Sequence, residues 1–281
     1  MEEPTITTLR RRRASAASRL ATVDRTDVHW IDEGRQMRLP PILMLSAQWL
    51  GAEHFAAFAA PLAHHTRVVR LDLPGHGLSG PFGPDGAHSA QGYARLVRAF
   101  LAHAGLAGCV VLGQSHSGIP AALLAADPAA GLRGLVLATS SGMPRDRAAA
   151  AKPVPTTQPE GAPGWYEERL RPLLHRADPA LFAPGAHAYG ELPGRAGEAA
   201  ERLRLFDPAL FARTLPQVAV PTRVLWSDGS TYLPAAMAEA CAALLPGCRG
   251  CTVIPDTGHL LLADAPQEAA DLTLAFLETL A

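Results

Sequence analysis

The sequence predicts an α/β domain: a mostly parallel, doubly wound sheet with an inserted helical cap. Three observations predict it. Short continuous apolar runs, of the kind buried on both faces of a sheet, alternate with stretches of helical spacing. One such run, Val110-Val111-Leu112, passes through Gly113-Gln114-Ser115-His116-Ser117-Gly118 into the apolar stretch Ile119 to Ala126, which reads as strand, very tight turn and helix. From about Met143 to Pro216 the strand signal vanishes and Ala, Pro and Gly dominate. The expected organisation is therefore a disordered basic arm over residues 1–20, a core made of 21–142 and 217–281, and a helical cap over 143–216.

Composition bounds the function classes. The 281 residues carry a formal net charge of −1 and a pI of about 6.8, which argues against a general nucleic-acid or membrane-surface binder. No apolar run approaches the roughly 18 residues of a membrane span. The four cysteines are Cys109, Cys241, Cys248 and Cys251. The last two form a C-x-x-C where a turn enters a predicted strand, and no second pair stands at zinc spacing. They read as structural thiols of a reducing, cytoplasmic compartment, with no metal site. Arg10 to Arg13 begin like a twin-arginine export signal, but Arg19 interrupts the apolar stretch such a signal needs, and Thr22 to Asp27 follow.

In chain order, Val28-His29-Trp30-Ile31 is β-prone and opens the folded domain as an edge strand, with Asp32, Glu33 and Gly34 turning after it. Pro41 to Leu45 is a buried strand, and Ser46 to Gly51 the loop beyond it. Phe55 to Ala60 has helical spacing. Arg67 to Asp72 is the next strand, ending in the glycine-dense turn Leu73 to Gly80. Gln91 to Gly105 reads as a helix and Gly134 to Ala138 as another buried strand. Within the cap, Trp165 to Arg171 and Gly197 to Phe206 read as helical, entered through a mobile loop around Lys152 to Gly164. Thr222 to Trp226 resumes the sheet, Leu233 to Leu245 is a helix, Thr252 to Ile254 is a last strand, and Gln267 to Leu280 closes the domain.

The turn at Ser115 singles out that residue. A serine there sits on a strained backbone with its hydroxyl above the sheet, and the positions two before and two after must be small. Gly113 and Ser117 fill them. Ser117 departs from the usual G-x-S-x-G, and Gly118 follows at once. A serine capping a helix N-terminus is the plainer reading of the same residues.

Four landmarks in order carry a resemblance: the apolar strand with its loop at Ser46, the turn Asp72-x-x-Gly75-x-Gly77-x-Ser79, the elbow at Ser115, and Gly258-His259 near the C-terminus. Together they resemble the α/β-hydrolase superfamily over residues 27 to 280 or so, in the order serine, acid, histidine that this fold uses. The resemblance implies Ser115 as nucleophile and His259 as its base. It implies backbone N–H groups of His116 and Gln48 as the oxyanion hole, with no role for the His116 side chain.

Two departures qualify it. Ser46-Ala47 stands where members commonly have His-Gly, as small or polar residues also do in the enol-lactone hydrolases that look similar here. After the strand that follows the cap, Ser230 falls where the family often has its aspartate. Asp228 is the nearest carboxylate, and reads equally as the triad acid and as a turn residue before Gly229. The other position the fold uses for its acid, after the strand preceding the cap, offers only Thr139, Ser140 and Ser141.

Trp49, Trp165, Tyr166, Phe182, Tyr189 and Tyr232 fall in loops or cap segments. Trp49 and Tyr232 adjoin the expected catalytic loops and, with Ser46, are the candidate substrate contacts. Sparse charge nearby favours an apolar or aromatic small molecule with one carbonyl to polarise. No phosphate loop, metal cluster or dinucleotide fingerprint appears, so no cofactor is expected. Three functions follow: a hydrolase of an ester, thioester or lactone using Ser115 and His259; a cyclase, C–C lyase or isomerase in which His259 is the base and the oxyanion hole holds an enolate; and a ligand-binding protein with a vestigial triad. A polar contact such as Ser230 at His259 Nδ1, in place of a carboxylate, favours the second.

Overall fold

Runs without a polar face must be covered on both sides, and a computed structural model describing residues 16–35, 37–47, 50–83, 88–142, 165–179 and 208–281 has that architecture. Its strands are β1 Ser18–Val23, β2 Thr26–Glu33, β3 Ile42–Leu45, β4 Val68–Leu71, β5 Val110–Gln114, β6 Gly134–Ala138, β7 Thr222–Ser227 and β8 Cys248–Ile254. They form one sheet in the order β1-β2-β4-β3-β5-β6-β7-β8. β1 and β2 pair antiparallel with their neighbours, and every other pairing is parallel.

Alternate residues of the central strands enter two cores. Leu43, Leu45, Val69, Val111, Leu135 and Leu137 meet Tyr93, Leu96 and Phe100 of α2 (Ala90–His103) and the apolar residues of α3 (Gly118–Ala125). Ile42, Met44, Val110, Leu112 and Val136 meet Phe55, with Phe58 and Leu62 of α1 (Ala56–Ala63). Phe276 and Leu277 of α8 (Pro266–Glu278) close the same side. The Ser89 hydroxyl caps α2 by accepting from Gly92 N–H at 3.0 Å. Between β6 and β7 come α4 (Trp165–Leu170) and α5 (Pro208–Thr214), each followed by a 3-10 turn, in the stretch expected to be a cap. The expected loop around 152–164 and the helical piece 197–206 lie outside the described residues. Beyond β7 come α6 (Ala236–Ala243) and the short α7 (Leu261–Asp264). Among the described residues no helix is long and apolar enough to cross a membrane.

Two elements differ from expectation. The expected edge strand β2 is interior, because Ser18–Val23 folds back on it through Asp24 and Arg25, both at positive φ (45° and 59°). Such a two-residue hairpin turn matches the twist of its strands, and it puts residues 18–20 in the sheet rather than in the arm. β8 begins at Cys248, so the C-x-x-C lies within a strand. The four residues Cys248 to Cys251 oppose the three from Thr222 to Val224, an irregularity that Gly250 (φ 151°) accommodates. All four cysteines are free thiols, and burial pushes Cys109 and Cys241 up to about 12.

The turn after β4 is organised by one carboxylate. Asp72, 1% exposed, accepts Leu78 N–H at 2.8 Å, Ala52 N–H, and His29 Nδ1 at 2.7 Å. His29 Nε2 in turn meets Ser18 Oγ at 3.0 Å, and the Ser79 hydroxyl donates to Asp72 O at 2.7 Å. A Cβ on Gly77 (φ 45°) would fall 2.1 Å from the Asp72 carboxylate, which is why glycine stands there. Asp72 thus ties the loop after β3 to the loop after β4. Replacing it with Asn puts an NH2 against N–H donors and breaks a buried pair, so Asp72→Asn should cost about 3 kcal/mol in urea unfolding.

Candidate active site

The elbow follows from a close approach. A Cβ on Gly113 would lie 2.7 Å from the Cα of Gly118, and a Cβ on Gly118 would lie 2.4 Å from Ser140 Oγ. The small pair that lets strand and helix meet is therefore Gly113 and Gly118. Ser117 instead ties the turn together. Its hydroxyl accepts Gln114 N–H at 3.0 Å and faces Leu45 O at 3.0 Å and Gln114 O at 2.9 Å. A glycine in the usual pattern would make none of these bonds. Between them Ser115 adopts φ 56°, a strained left-handed conformation for a side chain.

That backbone presents Ser115 Oγ 2.8 Å from His259 Nε2, across 144 residues of sequence. The imidazole is 7% exposed, and its Nδ1 lies 3.0 Å from Ser230 Oγ. The Ser230 oxygen is itself fixed: it accepts Leu233 N–H at 3.1 Å, while Leu233 O accepts the indole N–H of buried Trp226 at 3.0 Å. Ser141 Oγ stands 3.4 Å from Ser115 Oγ, and Ser141 N–H donates to Ser115 O at 2.9 Å.

The model of the alpha/beta hydrolase family matches residues 42–272. The chain belongs to the alpha/beta hydrolase family. Among solved structures it is similar to a membrane phospholipase A described as a bacterial virulence factor, at 23% identity and TM-score 0.78 over 98% of this chain and 91% of that one. It is similar to an esterase from Thermogutta terrifontis at 24% identity and TM-score 0.73, over 94% and 99% of the two chains. It is also similar to the enol-lactonase from Burkholderia xenovorans LB400 at 20% identity and TM-score 0.75, over 92% and 100%. At these identities the likeness is one of fold. No curated protein sequence matches the chain significantly.

In this alpha/beta hydrolase the other candidate residues have diverse places. Asp228 does not bond His259. It is exposed, and its oxygens accept Asp256 N–H at 3.0 Å and Thr257 N–H at 3.1 Å; the Asp256 N–H bond leads the causes that hold its carboxyl below the ordinary range. It fastens the loop two residues before His259. Ser46 is fully buried and accepts Leu73 N–H at 3.0 Å, so its hydroxyl serves the loop rather than the cleft. Tyr232 stands beside His259, ring centroids 5.5 Å apart, and burial raises its hydroxyl. The His116 ring stacks on His76 at 5.3 Å. Trp165 is buried under the Arg169 guanidinium. Gln48, Trp49, Phe182 and Tyr189, and the side chain of Tyr166, lie outside the described residues. Among the described residues no cluster of His, Cys, Asp and Glu has the arrangement of a metal site. A shallow depression lined by Arg38, Pro41, Gly108 and Arg133 sits where β3, β5 and β6 begin, at the opposite end of the strands from Ser115.

Two supports escaped the motif reading. Asp264, 5% exposed, accepts four backbone N–H groups: Gly258 at 2.7 Å, His175 at 2.9 Å, Arg176 at 2.9 Å and Ala177 at 2.8 Å. One carboxylate thus binds the His259 loop to the described end of the cap stretch. Leu170, Leu173 and Leu174 pack with Ala47, Leu50 and Leu260 above it. His54 is buried, with Nδ1 2.6 Å from Gly51 O and Nε2 3.2 Å from Gln114 Oε1, and burial lowers its pKa to about 4.

Both supports can be tested. Asp264→Asn turns an NH2 toward two of the four donors; it should cost about 2–3 kcal/mol in urea unfolding, and a displaced His259 should lower turnover about 10²-fold. For His54 the unfolded chain takes up a proton from pH 6.5 downward, the folded protein only near 4. Stability present above pH 6.5 is therefore lost as pH falls toward 4, by up to about 3 kcal/mol. Urea unfolding at several pH values should show this decline in the wild type and its absence in His54→Gln.

Proposed function

We propose that the chain is a cofactor-independent hydrolase that cleaves an ester, thioester or lactone bond in an apolar or aromatic small molecule. The observation that carries the reading is the 2.8 Å contact between Ser115 Oγ on its strained elbow and His259 Nε2. In this reading His259 takes the hydroxyl proton as Ser115 attacks the carbonyl. The oxyanion is met by the N–H of His116, the residue after the nucleophile, and by that of Gln48. Water then releases the acyl group from Ser115, with His259 again as base. In this reading Tyr232 and Trp49 contact the substrate. Free thiols and the lack of a spanning helix among the described residues support a cytoplasmic setting.

The second reading, a cyclase, C–C lyase or isomerase, is favoured by one observation: a hydroxyl, Ser230, stands at His259 Nδ1. Such an enzyme needs only an imidazole base and an oxyanion hole.

A fluorophosphonate probe should label the wild type on Ser115 and leave Ser115→Ala unlabelled, with ester turnover down by at least about 10³ in the variant. No labelling, together with undiminished turnover in Ser115→Ala, overturns the hydrolase. A product of unchanged mass, or two fragments without added water, assigns the second reading.

A further inference from the structure

His259 is held between two hydroxyls. Each imidazole nitrogen has one in-plane hydrogen-bonding position, and these are filled by Ser115 Oγ at Nε2 and Ser230 Oγ at Nδ1. The two carboxylates nearest in the loops, Asp228 and Asp264, are engaged with backbone N–H groups instead.

A hydroxyl at Nδ1 acts differently from a carboxylate. A carboxylate only accepts, so it enforces the tautomer with the proton on Nδ1 and stabilises the imidazolium that forms during attack. Ser230 has one lone pair on Leu233 N–H. It can accept from Nδ1–H with the other or turn its own proton to Nδ1, so it admits both tautomers. It also offers no negative charge to the imidazolium. Formation of the imidazolium is the step that suffers: attack on a weakly electrophilic carbonyl becomes harder, and a strongly basic leaving group, which departs only with the proton that imidazolium carries, is disfavoured with it. Phenols and thiols, with pKa values of about 10 and 8.5, leave as anions without that proton. An alkoxide does not.

We infer that this site is matched to acyl compounds with a weakly basic leaving group, namely thioesters and aryl or enol esters, and is inefficient on alkyl esters. The inference rests on the hydrolytic reading. The Ser115 Oγ–carbonyl carbon bond forms and the bond from that carbon to sulfur or oxygen breaks. The hydroxyl proton passes to His259 Nε2, the leaving group departs as an anion and takes a proton from solvent, and the imidazolium returns its proton to solvent so that His259 is neutral again. In the second half, water gives a proton to His259 and its oxygen to the acyl carbon. The acid is released as Ser115 recovers its proton. Ser230 acts through His259 and is a positioning residue.

The test is kcat/KM, which reports acylation, for para-nitrophenyl, phenyl, trifluoroethyl and ethyl esters of one short acid, with the matching ethyl thioester. In the wild type, values should fall by about 10³–10⁴ from phenyl to ethyl ester, comparable to the effect of removing a charged orienting group from a triad. Ser230→Asp should flatten the series by restoring ethyl-ester hydrolysis at least tenfold, and should raise the apparent pKa in its pH–rate profile. Ser230→Ala should keep the steep series. Phenyl and ethyl esters hydrolysed within tenfold of each other by the wild type overturn the inference, whether or not Ser230→Asp folds. If Ser115 is labelled by the fluorophosphonate and the series is flat, only this inference fails. If there is neither labelling nor ester turnover, the hydrolytic reading fails with it.

Discussion

The absence of room between β5 and α3 is the constraint from which the site follows. Gly113 lies so close to the start of α3 that no Cβ fits there, and Gly118 lies so close to Ser140 after β6 that none fits there either. The single residue that can point outward between them is Ser115, at φ 56°. A strained conformation of this kind costs on the order of 1–3 kcal/mol and persists only where its surroundings over-determine it. Here they do: Ser117 clamps the turn to the end of β3, and Ser141 N–H holds Ser115 O. The hydroxyl is presented by the packing of the sheet itself, with no help from the Ser115 side chain's own preferences.

Around this point three carboxylates each fasten two segments of the chain together. Asp72 joins the loop after β3 to the loop after β4. Asp228 joins the loop after β7 to the loop after β8. Asp264 joins the His259 loop to residues 175–177. Each works by accepting backbone N–H groups that a loop leaves over, and a charged acceptor does this more strongly than a neutral one. The arrangement explains why the acid nearest the expected triad position is unavailable to His259. Both Asp228 oxygens already support the chain that carries the histidine, so recruiting that carboxylate to Nδ1 would release the Asp256 and Thr257 N–H groups.

Most of the sheet was legible because buried parallel strands write themselves as continuous apolar runs, and five of the eight strands stand within a residue of their expected place. β1 was not legible. Ser18 to Val23 mixes arginine with β-prone residues, and its pairing depends on a hairpin through two non-glycine residues at positive φ, which carry no sequence signal. Ser115 and His259 could be named through the family resemblance, because the elbow and the Gly-His after a final strand are local patterns that carry it. Ser46 was misleading for a physical reason: its position in the loop is as expected, but its hydroxyl turns inward to Leu73 N–H. The tie made by Asp264 spans 89 residues to His175 and consists of backbone donors, which leave no trace in side-chain identity.

Ser230 is the hardest case, because its sequence position suggested a gap where the structure has a built contact. A residue dropped in by chance would leave its hydroxyl to water or to the nearest carbonyl. This one is 6% exposed, oriented by Leu233 N–H, and held through Leu233 O to the indole of a fully buried tryptophan. Its oxygen stands 3.0 Å from Nδ1, within hydrogen-bonding distance. What is lost is charge rather than position. An imidazole so placed remains aligned on Ser115. In the proposed hydrolytic reading, chemistry at such a site depends more on the reactivity of the substrate carbonyl, and on the oxyanion donors that polarise it, than on the strength of the base.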